Sequence, residues 1–204
     1  MSHVQPLVAP SWQSASRLAL PADSLLASTA LLLGMGSLAT LASFLEFKLK
    51  LPGNSIIRGV LPVALGLALV PRLGSGTTMT IGSLLMVLFL RSIGHTKGLG
   101  GTTSLVLLGP MFDLALLAAK PNWMLYVRFA LAGMAANGLA FAVQVTAKSY
   151  GLSLGGGKDF RTWISLATFT YPLFGLIAGL VSGLLFFHWS PLGNDRERSG
   201  RSQP

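Results

Sequence analysis

The run from Trp123 to Ala147, WMLYVRFALAGMAANGLAFAVQVTA, decides the fold. It carries a single charge, Arg128, and is apolar or small almost throughout. A helix rises 1.5 Å per residue, so about 20 mostly apolar residues cross a ~30 Å hydrocarbon core. This run is long enough. A barrel strand would instead alternate apolar and polar residues over about ten positions, and nothing here alternates.

Working outward, five more segments approach the same length: Ser24–Leu45, Ser55–Val70, Thr77–Ile93, Thr102–Ala119 and Trp163–Trp189. The second is the shortest and carries Arg58 and Pro62. Breakers stand where the apolar runs stop, at Leu51-Pro52-Gly53-Asn54, Pro71-Arg72, Gly98 to Gly101, Lys120-Pro121-Asn122 and Gly155-Gly156-Gly157. Composition agrees with the segments. Of 204 residues 51% are hydrophobic and 10% charged, against about 25% charged in a soluble domain. The expected fold is therefore an all-α polytopic integral membrane protein of six transmembrane helices in one bundle. Residues 1–23 read as a cytosolic N-terminal tail, 24–189 as the membrane domain and 190–204 as a polar C-terminal tail.

The charge balance, 15 Lys and Arg against 6 Asp and Glu, does not point to nucleic acid, because the bases lie in short loops and the tail rather than on a stripe. Basic loops bordering a bilayer explain them better. Six spans put both termini on one side. Seven Lys and Arg then fall on that side and eight on the other, so loop charge does not orient the chain. Cytoplasmic termini in a plasma (inner) membrane are expected instead because a tail with a basic end is easily left untranslocated. With no Cys and three scattered His, neither a thiolate nucleophile nor a metal site is expected, and no cofactor.

Two charges lie deep in the spans, where insertion costs at least ~2.5–3.5 kcal/mol each. Asp113 precedes Pro121 by eight positions and Arg128 follows it by seven, so an antiparallel hairpin brings them to similar depth. An intramembrane ion pair is the economical expectation, with a proton relay as its rival. Asn137 and Gln144 are seven apart and project from nearly one face of their helix. They read either as interhelical glue or as the lining of a solute cavity. Gln144 lies toward the end where Arg58, Arg91, His95, Lys97, Lys148, Lys158 and Arg161 gather, a basic mouth suited to an anionic solute. Trp163 and Tyr171 read as interface anchors that could also stack on a flat ligand. The expected solute contacts are Asn137, Gln144, Arg161, Trp163 and Tyr171.

Enzymatic readings fail on spacing. The glycines of Gly151 to Asp159 do not match a phosphate loop, and Asp159 stands where Ser or Thr should hold magnesium. Ser75 and Ser182 lack the Gly-x-Ser-Gly pattern of an intramembrane protease. No enzyme is expected. Small residues recur about every four positions at Gly34, Gly36 and Thr40, at Ala132, Ala136 and Ala140, and at Gly175, Gly179 and Gly183. Such faces let backbones approach closely, either within a tight bundle or against another membrane subunit.

About 200 residues, six short glycine-rich helices, small-residue faces, a Pro-Gly break after the first span and a Gly-rich loop before the sixth resemble the substrate-binding S component of energy-coupling factor vitamin transporters. The resemblance is architectural and covers roughly Ser24 to Trp189. Members often dock to a coupling subunit through Ala-x-x-x-Ala on the first helix, where this chain has Gly34, Gly36 and Thr40. The resemblance implies capture of a vitamin or other micronutrient at the outer face, with transport driven by partner ATPases and a coupling subunit. A membrane assembly or scaffold subunit and a small self-sufficient secondary transporter remain as alternatives.

Overall fold

The computed structural model describes residues 24–44, 51–95, 99–117, 123–151 and 160–187. The expected tails, and Lys48, Lys97, Lys158, Asp159 and Trp189, lie outside these residues. Within them the chain is all-helical. Six helices follow in order: α1 (Leu25–Phe44), α2 (Ser55–Leu69), α3 (Ser75–Ser92), α4 (Leu99–Leu116), α5 (Met124–Ser149) and α6 (Phe160–Phe187). Their positions match the six apolar segments to within a few residues.

Three stretches are long and apolar enough to cross a membrane: Leu25–Phe44, Met124–Ser149 and Phe160–Leu185. Two of the others differ for identifiable reasons. Helix α2 has 15 residues, about 22 Å, and is enclosed by α1, α3, α4 and α6. Its buried residues Ile56, Val60, Val63, Ala64 and Leu67 point to several neighbours at once. Helix α3 opens on Ser75-Gly76-Thr77-Thr78, polar residues that make contacts inside the protein.

Helix pairing alternates in direction. Gly133 of α5 meets Gly175 of α6, and Phe129 meets Gly179, so these two helices run antiparallel over the most extensive interface in the protein. Ser104 and Phe112 of α4 face Asn137 and Phe129 of α5 in the same sense. One end of the structure, the Gly53 end, thus collects the α1–α2 turn, the start of α4, the end of α5 and the start of α6. The opposite, Gly74 end collects the α2–α3 turn, the end of α4 and the start of α5.

What holds the helices together is close backbone approach more than large side chains. A Cβ on Gly36 would fall on the Met79 carbonyl, one on Gly82 on the Leu33 carbonyl, and one on Gly133 on the Gly175 carbonyl. Hydroxyls then bond across the same seams. Thr40 Oγ1 donates to the Ser83 carbonyl at 3.2 Å, Ser83 Oγ to the Gly36 carbonyl at 2.8 Å, and Ser37 Oγ to the Gly82 carbonyl at 3.2 Å. In lipid, where helices gain no hydrophobic energy from association, packing of this kind supplies the attraction. The faces turned outward are apolar. Leu85, Leu88 and Phe89 of α3, Leu131 and Leu139 of α5, and Phe169, Leu173 and Leu185 of α6 are all exposed. A protein dissolved in water does not present so many large apolar side chains on successive helices.

Candidate functional site

The small-residue faces anticipated as packing or docking surfaces are used inside the protein at most positions. Gly36 and Thr40 are buried against α3, and Gly175 and Gly179 against α5, while Ala132 and Ala136 are buried within α5's packed face. Gly34 differs: a Cβ there would meet nothing within 4 Å, so it faces outward.

Asp113 has a partner other than the one the hairpin argument supplied. It sits in the last turn of α4, buried, with its carboxylate on the first residues of α3. Gly76 N–H donates to Oδ1 at 2.9 Å; Thr77 N–H and Thr77 Oγ1 both donate to Oδ2 at 2.8 Å. Among the described residues Asp113 and Arg128 form no ion pair. The reason is helix chemistry. The first turn of a helix has N–H groups without intrahelical acceptors and the positive end of the dipole, and a carboxylate there satisfies both. Gly76 and Gly109 make room, since a Cβ on either would strike the other's carbonyl. Arg128, half-buried in the second turn of α5, lies close to the Gly74 end. The Gly-Ser-Gly-Thr-Thr start of α3 was the signal for this seat. Reading only the α4–α5 hairpin passed over it.

Asn137 is fully buried and committed to the fold. Its Oδ1 accepts from Ser104 Oγ at 2.6 Å, and its Nδ2 donates to the Gly53 carbonyl at 3.2 Å and the Tyr171 carbonyl at 2.7 Å. One side chain thereby ties the α1–α2 turn, α4 and α6 to α5. Gly53 has φ +81°, and a Cβ there would press on Tyr171, so the turn needs glycine for two reasons.

One turn further along α5 the surroundings change. Phe141, Trp163 and Tyr171 form an aromatic group, with ring centroids 6.1 Å apart for Phe141 and Trp163, 5.6 Å for Phe141 and Tyr171, and 6.5 Å for Trp163 and Tyr171. Phe160 extends it beyond Trp163, with ring centroids 6.2 Å apart. Ala140 and Ala167 form its small-residue floor, and Val145 and Ile164 flank it. The Lys148 ammonium stands over the Trp163 ring, 4.8 Å from the centroid. Gln144 is one turn from both Ala140 and Lys148, on the α5 face that packs against Trp163. Its Oε1 is buried, and no protein donor reaches it. Thr170 Oγ1, beside Tyr171, is buried and unpartnered too. Native interiors rarely leave such atoms unmatched, because each costs about 1–3 kcal/mol.

Of the five expected solute contacts, Trp163 and Tyr171 belong to one aromatic group, and Gln144 lies one turn along α5 from Phe141 and from Lys148. Arg161 is exposed in the first turn of α6, two residues from Trp163, and Asn137 is one layer deeper with its hydrogen bonds made. Phe141 and Phe160 were not singled out from the sequence, although Phe141, Gln144 and Lys148 recur at helical spacing. Among the described residues the charges at this end are of one sign. Arg58, Arg91, His95, Lys148 and Arg161 gather here, and Arg58 Nη2 donates to Asn54 Oδ1 at 3.2 Å. Among the described residues the single carboxylate, Asp113, is at the opposite end. No group of three or more potential metal ligands occurs among the described residues.

Compared with family models, curated proteins and solved structures, the chain matches none. The class its fold defines is an all-helical protein with three helices of membrane-crossing length and composition.

Proposed function

We propose that this is a membrane-embedded solute-binding protein, six helices spanning the plasma (inner) membrane with both termini cytoplasmic and the Gly53 end outward. The solute is a vitamin or similar micronutrient, and transport is driven by partner ATPases through a coupling subunit, as the resemblance to energy-coupling factor S components implies. The observation that carries the reading is the buried, unmatched Gln144 Oε1, one turn along α5 from Phe141 and from Lys148, which both contact Trp163. A buried acceptor without a donor costs stability, and a solute with a donor relieves that cost. Aromatic walls with a few convergent polar groups are the usual lining of a small-molecule site.

The alternative of an assembly subunit draws on the same small-residue faces. Those faces are used within the bundle, at Gly36 against Met79 and Gly175 against Gly133, which favours solute binding over docking through glycines. Purification in mild detergent followed by native mass spectrometry tests the choice. A retained small molecule is the expected result. A stoichiometric protein partner with no small molecule overturns it in favour of an assembly subunit, and uptake into proteoliposomes by this chain alone favours a self-sufficient transporter.

A further inference from the structure

The solute-binding reading leaves the chemistry of the solute open, and three features of the Gln144 layer narrow it. The first is charge. Every charged group among the described residues at the Gly53 end is basic, and Asp113 is at the far end on Gly76 and Thr77. The stretches of sequence that flank the helix ends here hold eight Lys and Arg against two acidic residues, Glu46 and Asp159, and that excess of positive charge repels a cationic solute and draws in an anion.

The second is the Trp163 face. Lys148 Nζ covers it at 4.8 Å, while Phe141 and Phe160 stack beside it with interplanar angles of 30° and 23°. A lysine side chain is a flexible occupant of a ring face and moves off it by rotamer change alone. A flat ring takes the same face. The displaced ammonium, still within reach at one edge, is then placed to pair a negative group on that ring. The third is Gln144 Oε1, an acceptor one turn from Lys148 that no protein donor satisfies. It calls for an N–H or O–H from the solute.

We propose that the solute is a planar aromatic anion carrying a ring N–H: it stacks on Trp163 where Lys148 now lies, donates to Gln144 Oε1, and has its anionic group paired by Lys148 and Arg161. The proposal rests on the solute-binding reading above and adds ligand class and pose. Lys148 then covers the Trp163 ring in this structure and pairs the anionic group of the bound solute.

The test uses the full chain in detergent and three probes by calorimetry: indole-3-carboxylate, with ring, N–H and anion; 1-naphthoate, which lacks the N–H; and tryptamine, which reverses the charge. Indole-3-carboxylate binding at least about tenfold tighter than either of the others is expected. Gln144→Leu should remove its advantage over 1-naphthoate while leaving 1-naphthoate unchanged, and Lys148→Met should remove its advantage over tryptamine. Gln144→Leu and Lys148→Met alter partly exposed positions, so both variants are expected to fold and to remain informative. Tryptamine binding as tightly as the carboxylate, or an advantage that survives Gln144→Leu, overturns the proposal. Native mass spectrometry of the protein as purified separates the two levels. A retained cationic or non-aromatic molecule sinks this inference and leaves the solute-binding reading standing. No retained molecule together with no probe binding sinks both.

Discussion

Two carboxamides on one face of α5 have opposite surroundings. Around Asn137 the helices meet at backbone distance, and the amide is matched on both its oxygen and its nitrogen by Ser104, Gly53 and Tyr171. Gln144, two turns on, stands between Phe141 and Lys148 along α5, both of which contact Trp163, and its buried Oε1 has no donor. The first is what a polar group does when it holds a protein together in a medium without water. The second is a group that the chain by itself does not complete. Burial alone does not separate the two roles, since both oxygens are out of solvent; the count of partners does.

The comparison can be broken or sharpened by substitution, with stability read as the thermal unfolding midpoint in detergent. The largest effect is expected at Gly175→Leu, beside Asn137. A side chain there must displace the Gly133 carbonyl and the Asn137 Cβ, so a loss of about 3 kcal/mol or more, or failure to purify as a monodisperse protein, is expected. An unshifted midpoint would mean that α5 and α6 are not in backbone contact.

Asp113→Ala comes next. It strips the acceptor from Gly76 N–H, Thr77 N–H and Thr77 Oγ1 together, at an expected cost of about 2–4 kcal/mol. Asp113→Asn keeps one acceptor oxygen and should lose less than half as much. Arg128→Leu should leave the midpoint within about 1 kcal/mol, because Asp113 does not rely on it. A coupled loss in the Asp113 and Arg128 double-mutant cycle would restore the ion pair.

Asn137→Ala should cost about 2 kcal/mol, since three hydrogen bonds go and intramembrane bonds are individually modest at ~0.6 kcal/mol, the rest being the cavity and the orphaned Ser104 hydroxyl. Gln144→Leu is the decisive contrast. It removes an unmatched acceptor and should leave stability equal or raise it by about 1 kcal/mol, while solute binding falls. A loss equal to that of Asn137→Ala would make the two amides alike and remove the case for a site. Smallest is Gly34→Ala, on an open helical surface, where a gain of about 0.5 kcal/mol is expected. A large loss in a co-purified complex, with none for the isolated chain, would instead mark Gly34 as a docking position.

Much of the fold was legible in the sequence because lipid imposes a simple rule on length and polarity. Each run of about 20 apolar residues had one satisfactory conformation, and Gly53, Gly74 and Gly94 punctuate the chain where the runs end. The shortfall of α2 was also legible in its length and in Pro62, and its enclosure by four neighbours accounts for a short helix. The polar residues were harder. Asp113 had an obvious local candidate in Arg128, yet the start of α3, 36 positions away in sequence, offered three donors already aimed at one point. Asn137 and Gln144 shared a stripe, and nothing in their spacing shows that Tyr171 and Gly53 reach one of them and not the other.

The amino-acid sequence by itself determined the helical class, the order of the six described helices and the excess of basic residues toward one end, because these follow from local hydropathy, helix length and breaker residues. Only the tertiary structure decided which polar groups are matched. Hydrogen-bond partners come from residues tens of positions apart, as with Asn137 and Gly53, 84 positions distant, and a difference of two helical turns is enough to change a structural tie into an open acceptor.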